Sequence, residues 1–108
     1  MSKIKLLDLK NYYSVDSGGR YERVSDCILW FVNDCEYAVS CGIEWNAGGR
    51  SDSIGGTVTL CSVDDVKQYG ICYLYNKLNE LKIGTNTQFL MSKEAFLNLF
   101  YQIQESLF

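Results

Sequence analysis

The chain has 108 residues, 47% of them hydrophobic and 14% aromatic, with a formal net charge of −3. That is enough for one domain with a real core and too little for two. No stretch reaches the roughly 18 apolar residues of a membrane span, and the opening MSKIKLLDLKNYY breaks its apolar run with Lys3, Lys5, Asp8 and Lys10 and offers no small-residue cleavage site. A soluble, cytoplasmic protein is expected.

In chain order, KIKLLDL at the front reads as an edge strand. DCILWFVND (26–34) is apolar on both faces, as a central strand would be, and the short NDCE joins it as a hairpin to the next segment. That segment, EYAVSCGIEW (36–45), alternates cleanly. Tyr37, Val39, Cys41, Ile43 and Trp45 share one face and Glu36, Ala38, Ser40, Gly42 and Glu44 the other, the period of a half-buried strand, so Trp45 is expected in the core. NAGGRSDSIGG (46–56), with four glycines, reads as a flexible loop between strands, and TVTLCS (57–62) as the strand that follows it.

Residues 62 to 83 carry two conflicting signals. Ser62 with Asp65 resembles a capping box, and Val66, Gly70, Leu74, Leu78 and Leu81 lie at helical spacing. ICYLYN (71–76) nevertheless favours strand and follows a glycine, so the expectation is a short helical turn at 63–69 and then a strand. TQFLM (87–91) is a further strand, running into SKEAFLNLFYQIQESLF, where Ser92 caps and Phe96, Phe100, Ile103 and Leu107 form one apolar stripe. With no proline and no linker, the chain is a single domain over 1–108. The predicted fold is α+β: a mainly antiparallel β-sheet with a C-terminal amphipathic helix packed on one face.

Charge is distributed unevenly. Residues 1–25 carry five Lys/Arg against three Asp/Glu and residues 66–108 four against three, whereas residues 26–65 carry Arg50 alone against seven acids. Such a middle third repels nucleic acid and attracts basic protein surfaces.

Known chemistries find little here. The glycine stretch is followed by no lysine and no helix, so it is neither a P-loop nor a dinucleotide fingerprint, although Gly48, Gly49 and Arg50 have the composition of an anion-binding nest. The cysteines at 27, 35, 41, 61 and 72 are odd in number and lack a C-x-x-C spacing, so reduced thiols are expected rather than a disulfide framework. With no histidine in the chain, a zinc site lacks its usual ligands and a nucleophile lacks its usual base. No catalytic residue, cofactor or metal is predicted, and the chain is not expected to be an enzyme.

Three segments carry a resemblance. LWFVND followed by GIEWNAGGRSDS, and later NKLNELKIGTNTQFLMSKEAFLNLF, resemble the small acidic immunity proteins that bacteria encode beside secreted or contact-delivered toxins; the likeness spans residues 26–107. It implies a non-catalytic inhibitor that covers a cognate toxin's active site, a protein partner with a basic surface. The expected contact residues are Glu36, Glu44, Arg50, Asp52, Asp64 and Asp65, with Tyr73 or Tyr75 as an aromatic anchor. Two alternatives stand beside it: a phage-encoded inhibitor of a host defence system, and a small-ligand or nucleotide-binding protein using the 46–56 loop as a lid.

Overall fold

The computed structural model describes residues 3–16, 21–33, 35–47, 50–84 and 86–107, and within them the side chains of all but 16, 21, 46, 47, 50, 51 and 103–107. Its main element is a four-stranded antiparallel sheet built from β1 (Lys3–Asp8), β3 (Tyr21–Val32), β4 (Glu36–Ala47) and β5 (Arg50–Ser62), in the order β1-β3-β4-β5. A second, two-stranded sheet pairs β2 (Tyr13–Asp16) with β6 (Asn86–Phe89), after a 3-10 turn at Lys10–Tyr12. Three helices complete the chain: α1 (Val63–Tyr69), α2 (Ile71–Glu80) and α3 (Lys93–Leu107). The α+β architecture expected from the sequence is the one observed.

Register decides what each face of the sheet carries, because side chains opposite one another across antiparallel strands point the same way. Leu7, Leu29, Val39 and Val58 form one row, Phe31, Tyr37 and Cys61 the next, then Cys27, Cys41 and Gly56, then Val24, Ile43 and Ile54. These rows face the helices. Leu29, Val39, Leu74, Leu78 and Phe96 are fully buried there, and Tyr37 meets Phe100 of α3 edge to face with ring centroids 6.3 Å apart. The other face carries Trp30, Ala38 and Thr59, then Ile28, Ser40 and Thr57, and no helix covers it among the described residues. Ala38 is nevertheless buried, beneath its cross-strand neighbours: Trp30 lies opposite, donates its indole N–H to Ser40 Oγ at 2.9 Å and is capped by Lys3 Nζ 4.2 Å from the ring centroid. The small row of Ala38, Ser40 and Gly42 therefore lies on the open side, away from the C-terminal helix.

Three expectations are corrected. Residues 71–76 are helical, not a strand: α2 buries Leu74 and Leu78 completely at i, i+4 spacing, and that burial outweighs the strand preference of its β-branched and aromatic residues. Gly70 is the reason α1 and α2 are separate helices, since its φ of +89° lies in a region open chiefly to glycine. The 46–56 stretch is not a long loop. Asn46 and Ala47 belong to β4, and β5 starts at Arg50, with pairs continuing from Ala47↔Arg50 through Gly42↔Gly55 and beyond. A ladder of backbone hydrogen bonds to β4 overrides the weak strand propensity of Gly, Ser and Asp. Gly48 and Gly49, the proposed anion nest, lie outside the described residues. The strand expected at 87–91 runs instead from Asn86 to Phe89 and joins the small sheet.

Other local expectations hold. Ser62 and Asp65 form a complete capping box at α1: Asp65 N donates to Ser62 Oγ at 3.0 Å and Ser62 N to Asp65 Oδ2 at 3.4 Å. Ser92 Oγ accepts from Ala95 N at 3.2 Å at the start of α3. Among the described residues no helix is long and apolar enough to cross a membrane.

Candidate functional site

On β5 the half beyond Thr59 toward Arg50 is left bare by the helices on their own side of the sheet as well. Every described side chain from Asp52 to Thr59 is exposed. Ile54 and Val58 stand out with 59% and 49% of their surface open, although both point to the helix side of the sheet. β5 is also an edge strand, so its outer row of backbone N–H and C=O groups faces no neighbouring strand among the described residues.

On the helix side, Ile43, Ile54, Gly56 and Val58 form the floor of an apolar groove of about 160 Å³, walled by Leu81 and Ile83 from the segment after α2. Thr87 holds that wall in place, its Oγ1 accepting from the backbone N–H of Ile83 at 3.0 Å and of Gly84 at 2.9 Å. The volume is below the roughly 300 Å³ at which small-molecule pockets begin.

On the open side the same hairpin carries a polar depression of about 400 Å³, lined among others by Ser25, Asp26, Glu44, Ser53 and Thr57. A bulge in β3 makes it. The register with β4 shifts between Val24 and Asp26, so that the side chains of both Ser25 and Asp26 lie over Gly42. A Cβ at position 42 would fall 2.5 Å from Ser25 Oγ and 2.7 Å from Asp26 Oδ1, which is why the position holds glycine. Beside them Arg23 reaches Glu44 across the strands, its Nη2 2.6 Å and its Nε 3.0 Å from Glu44 Oε2.

The expected contact residues do not form one patch. Glu44 sits in the open-side depression, Asp52 is exposed on β5 opposite Trp45, and Arg50 opens β5 with its side chain outside the described set. Glu36 pairs with Ser62 at the far end of the hairpin, beside the start of α1, where Asp64 is exposed and Asp65 is engaged in the capping box. Eight residue steps along β4 take Glu36 to Glu44, about 27 Å at roughly 3.4 Å per step. That is several times the ~8 Å screening length at physiological salt, so the two acidic ends act separately. Trp45, expected in the core, is half-buried at the bare end of the sheet.

The two tyrosines differ. Tyr73 lies half-buried on α2, stacked on Tyr69 with centroids 5.2 Å apart, and Lys77 Nζ sits 5.2 Å from its ring. The charges of Tyr73 and Glu80 hold the Lys77 ammonium above its usual pKa. Tyr75 is a packing residue: its hydroxyl donates to Met91 O at 2.8 Å and its ring meets Phe89 and Phe96.

Ser25, Asp26, Ile54 and Val58 were not singled out from sequence. Ile54, Gly56 and Val58 share a strand face, a period-two signal concealed by the surrounding glycines and serines. The β3 bulge that turns Ser25 and Asp26 over Gly42 has no signature in the sequence. Among the described residues no group of three or more Cys, Asp or Glu is gathered as a bound metal ion would need. Comparison with protein-family models, with curated proteins and with solved structures found no match to this chain.

Proposed function

We propose that this chain is a non-catalytic, protein-binding inhibitor of the immunity type, which neutralises a bacterial toxin by laying the bare half of the β4–β5 hairpin against a basic surface beside the toxin's active cleft. The observation that carries the reading is the bare end of the edge strand, which offers two exposed branched apolar side chains, Ile54 and Val58, with Asp52 on the helix side of the sheet, and Asp26, Glu44, Ser53 and Thr57 on its open side. A partner that grips this edge meets apolar side chains on one face and polar groups on the other, a mixture that protein interfaces use. An unpaired edge additionally accepts a partner strand through main-chain hydrogen bonds, and acidic groups at the rim speed encounter with a basic partner. Of the residues expected from sequence, Glu44, Arg50 and Asp52 belong to this end; Glu36, Asp64, Asp65 and Tyr73 do not.

The test is co-purification of the tagged chain from its native cell, washed at low and high salt, followed by expression of the captured protein alone. A stoichiometric partner is expected that is weakened by salt, poisons cells when expressed without this chain, and is lost with Ile54→Asp or Asp52→Lys but retained with Asp64→Lys. A partner that is harmless by itself and belongs to a defence system would replace the toxin reading with host-defence inhibition. Capture of no protein, together with thermal stabilisation by a nucleotide, would refute the protein-binding reading; saturation at a hundred times Kd stabilises by about 2.7 kcal/mol.

A further inference from the structure

Two of the five cysteines face each other. Cys27 on β3 and Cys41 on β4 are directly opposed in register, both point to the helix side, and their sulfurs lie 3.6 Å apart as free thiols. Directly opposed antiparallel residues have Cα separations of about 4.5 or 5.5 Å, inside the 4.4–6.8 Å window that a disulfide spans. Closing the bond therefore needs side-chain rotation and no movement of the strands.

The pair is asymmetric in access. Cys27 has no exposed surface, whereas Cys41 is partly exposed and lies on the rim of the apolar groove. The residue next to Cys41 across the sheet is Gly56, and a Cβ placed there would find nothing within 4 Å. The row Cys27, Cys41, Gly56 thus runs from the interior to a gap in the side-chain cover on the Gly56 side of Cys41.

From this geometry we infer that Cys27 and Cys41 are a peroxide-sensitive dithiol, with Cys41 the attacking and Cys27 the resolving residue. The Cys41 thiolate attacks one oxygen of a hydroperoxide and breaks the O–O bond; the sulfur becomes a sulfenic acid and the other oxygen leaves, as water once protonated in the case of hydrogen peroxide. Cys27 sulfur then displaces the sulfenic hydroxyl, which departs as water with the Cys27 thiol proton, and the S–S bond forms. Two electrons pass from the two sulfurs to the peroxide, and no other reactant is needed. The hydrogen bond between the sulfurs favours this division of labour: it holds the Cys27 thiol well above its ordinary pKa, assisted by burial, and draws Cys41 below, against the opposing effects of burial and Asp26. Cys35 is exposed, but among the described strand pairs only Cys27 and Cys41 are opposed cysteines, so exposure by itself does not select Cys35 for disulfide formation.

The test is to treat the reduced protein with hydrogen peroxide, block remaining thiols, and map the products by mass spectrometry after chymotryptic digestion, which cuts after Trp30 and Tyr37 and so separates Cys27, Cys35 and Cys41. The expected product is a Cys27–Cys41 cross-link that dithiothreitol reverses. Cys27→Ser should leave a sulfenic acid on Cys41 that dimedone captures, and Cys41→Ser should leave Cys27 unmodified. Because Cys27 is fully buried, Gly56→Val is the second variant: it keeps every thiol, is compatible with a strand, closes the gap, and should slow cross-linking several-fold. A cross-link made through Cys35, oxidation of Cys27 without Cys41, or an unchanged rate in Gly56→Val would overturn the inference.

Discussion

Leu74→Ala tests the packing of α2 most directly. Leu74 is fully buried on α2, one helical turn before Leu78, which is also fully buried. Removing Cγ and both Cδ atoms forfeits about 2.4 kcal/mol at roughly 0.8 kcal/mol per buried carbon, and the incompletely collapsed cavity raises the total to about 3 kcal/mol within the range of ~2–5. A domain of this size has about 5–15 kcal/mol of stability in all, so the variant should remain folded but fragile. At a urea slope of about 1.5 kcal/mol per M, the denaturation midpoint should fall by about 2 M, with the slope unchanged. Asn76→Ala is the matched comparison. In a strand over 71–76, residues 74 and 76 would share a face and respond alike; in the helix, Asn76 is exposed and its replacement should shift stability by less than about 0.5 kcal/mol. Similar losses at 74 and 76, or a loss below about 1 kcal/mol at Leu74, would refute the packing of α2 described here.

Four further outcomes are expected. Ser62→Ala removes the hydroxyl of the α1 capping box and should destabilise by about 0.5–2 kcal/mol in urea titration. Gly42→Ala places a Cβ among Ser25 and Asp26 and should cost about 1–3 kcal/mol by overpacking, seen as a lower Tm with the same secondary structure by circular dichroism. Arg23→Ala breaks an ion pair whose side chains are 61% and 43% exposed, so its loss should stay below about 1 kcal/mol and shrink further in salt. Burial pushes Cys61 up from 9.0 to about 11, with Asp65 adding to the rise, and burial raises Tyr13 above 10.0. Because the folded values lie above the unfolded ones, the associated stability is complete below pH 9 and declines as the unfolded chain releases these protons first. The urea midpoint should therefore be lower at pH 11 than at pH 8, and Tyr13→Phe should flatten the decline; a midpoint that rises with pH would contradict it.

The candidate site was only partly legible in the sequence. Acids dominate the middle third of the sequence, and two of them, Glu44 and Asp52, fall on the bare end of the hairpin. Composition does not report position along a strand, so it does not distinguish them from Glu36 and Asp64, although about 27 Å of extended chain intervenes. Tyr75 illustrates the same limit from the other side: its spacing is compatible with a surface anchor, and only its contacts with Met91, Phe89 and Phe96 show it to be a packing residue. The juxtaposition of Cys27 with Cys41 has no expression as a sequence motif, because fourteen residues and a hairpin turn separate them.

Elements whose signals are local were determined by the sequence alone. The alternation in 36–45, the front edge strand, the capping serine at 92 with Phe96 and Phe100 of its apolar stripe, and the capping box at 62–65 each depend on neighbours a few residues away, and each appears where its pattern places it. The tertiary structure decided the cases in which local preference and burial disagree. Residues 71–76 prefer strand, but a helix buries Leu74 and Leu78 while leaving Asn76 in solvent, whereas a strand would carry Asn76 inward with them. The glycines and serines of 50–56 prefer a loop, but a neighbouring β4 offers them a complete ladder of backbone hydrogen bonds. Propensity differences amount to tenths of a kcal/mol per residue, whereas a fully buried leucine contributes about 2–3 kcal/mol. Long-range partners therefore prevail wherever they exist, and a sequence read a few residues at a time does not reveal them.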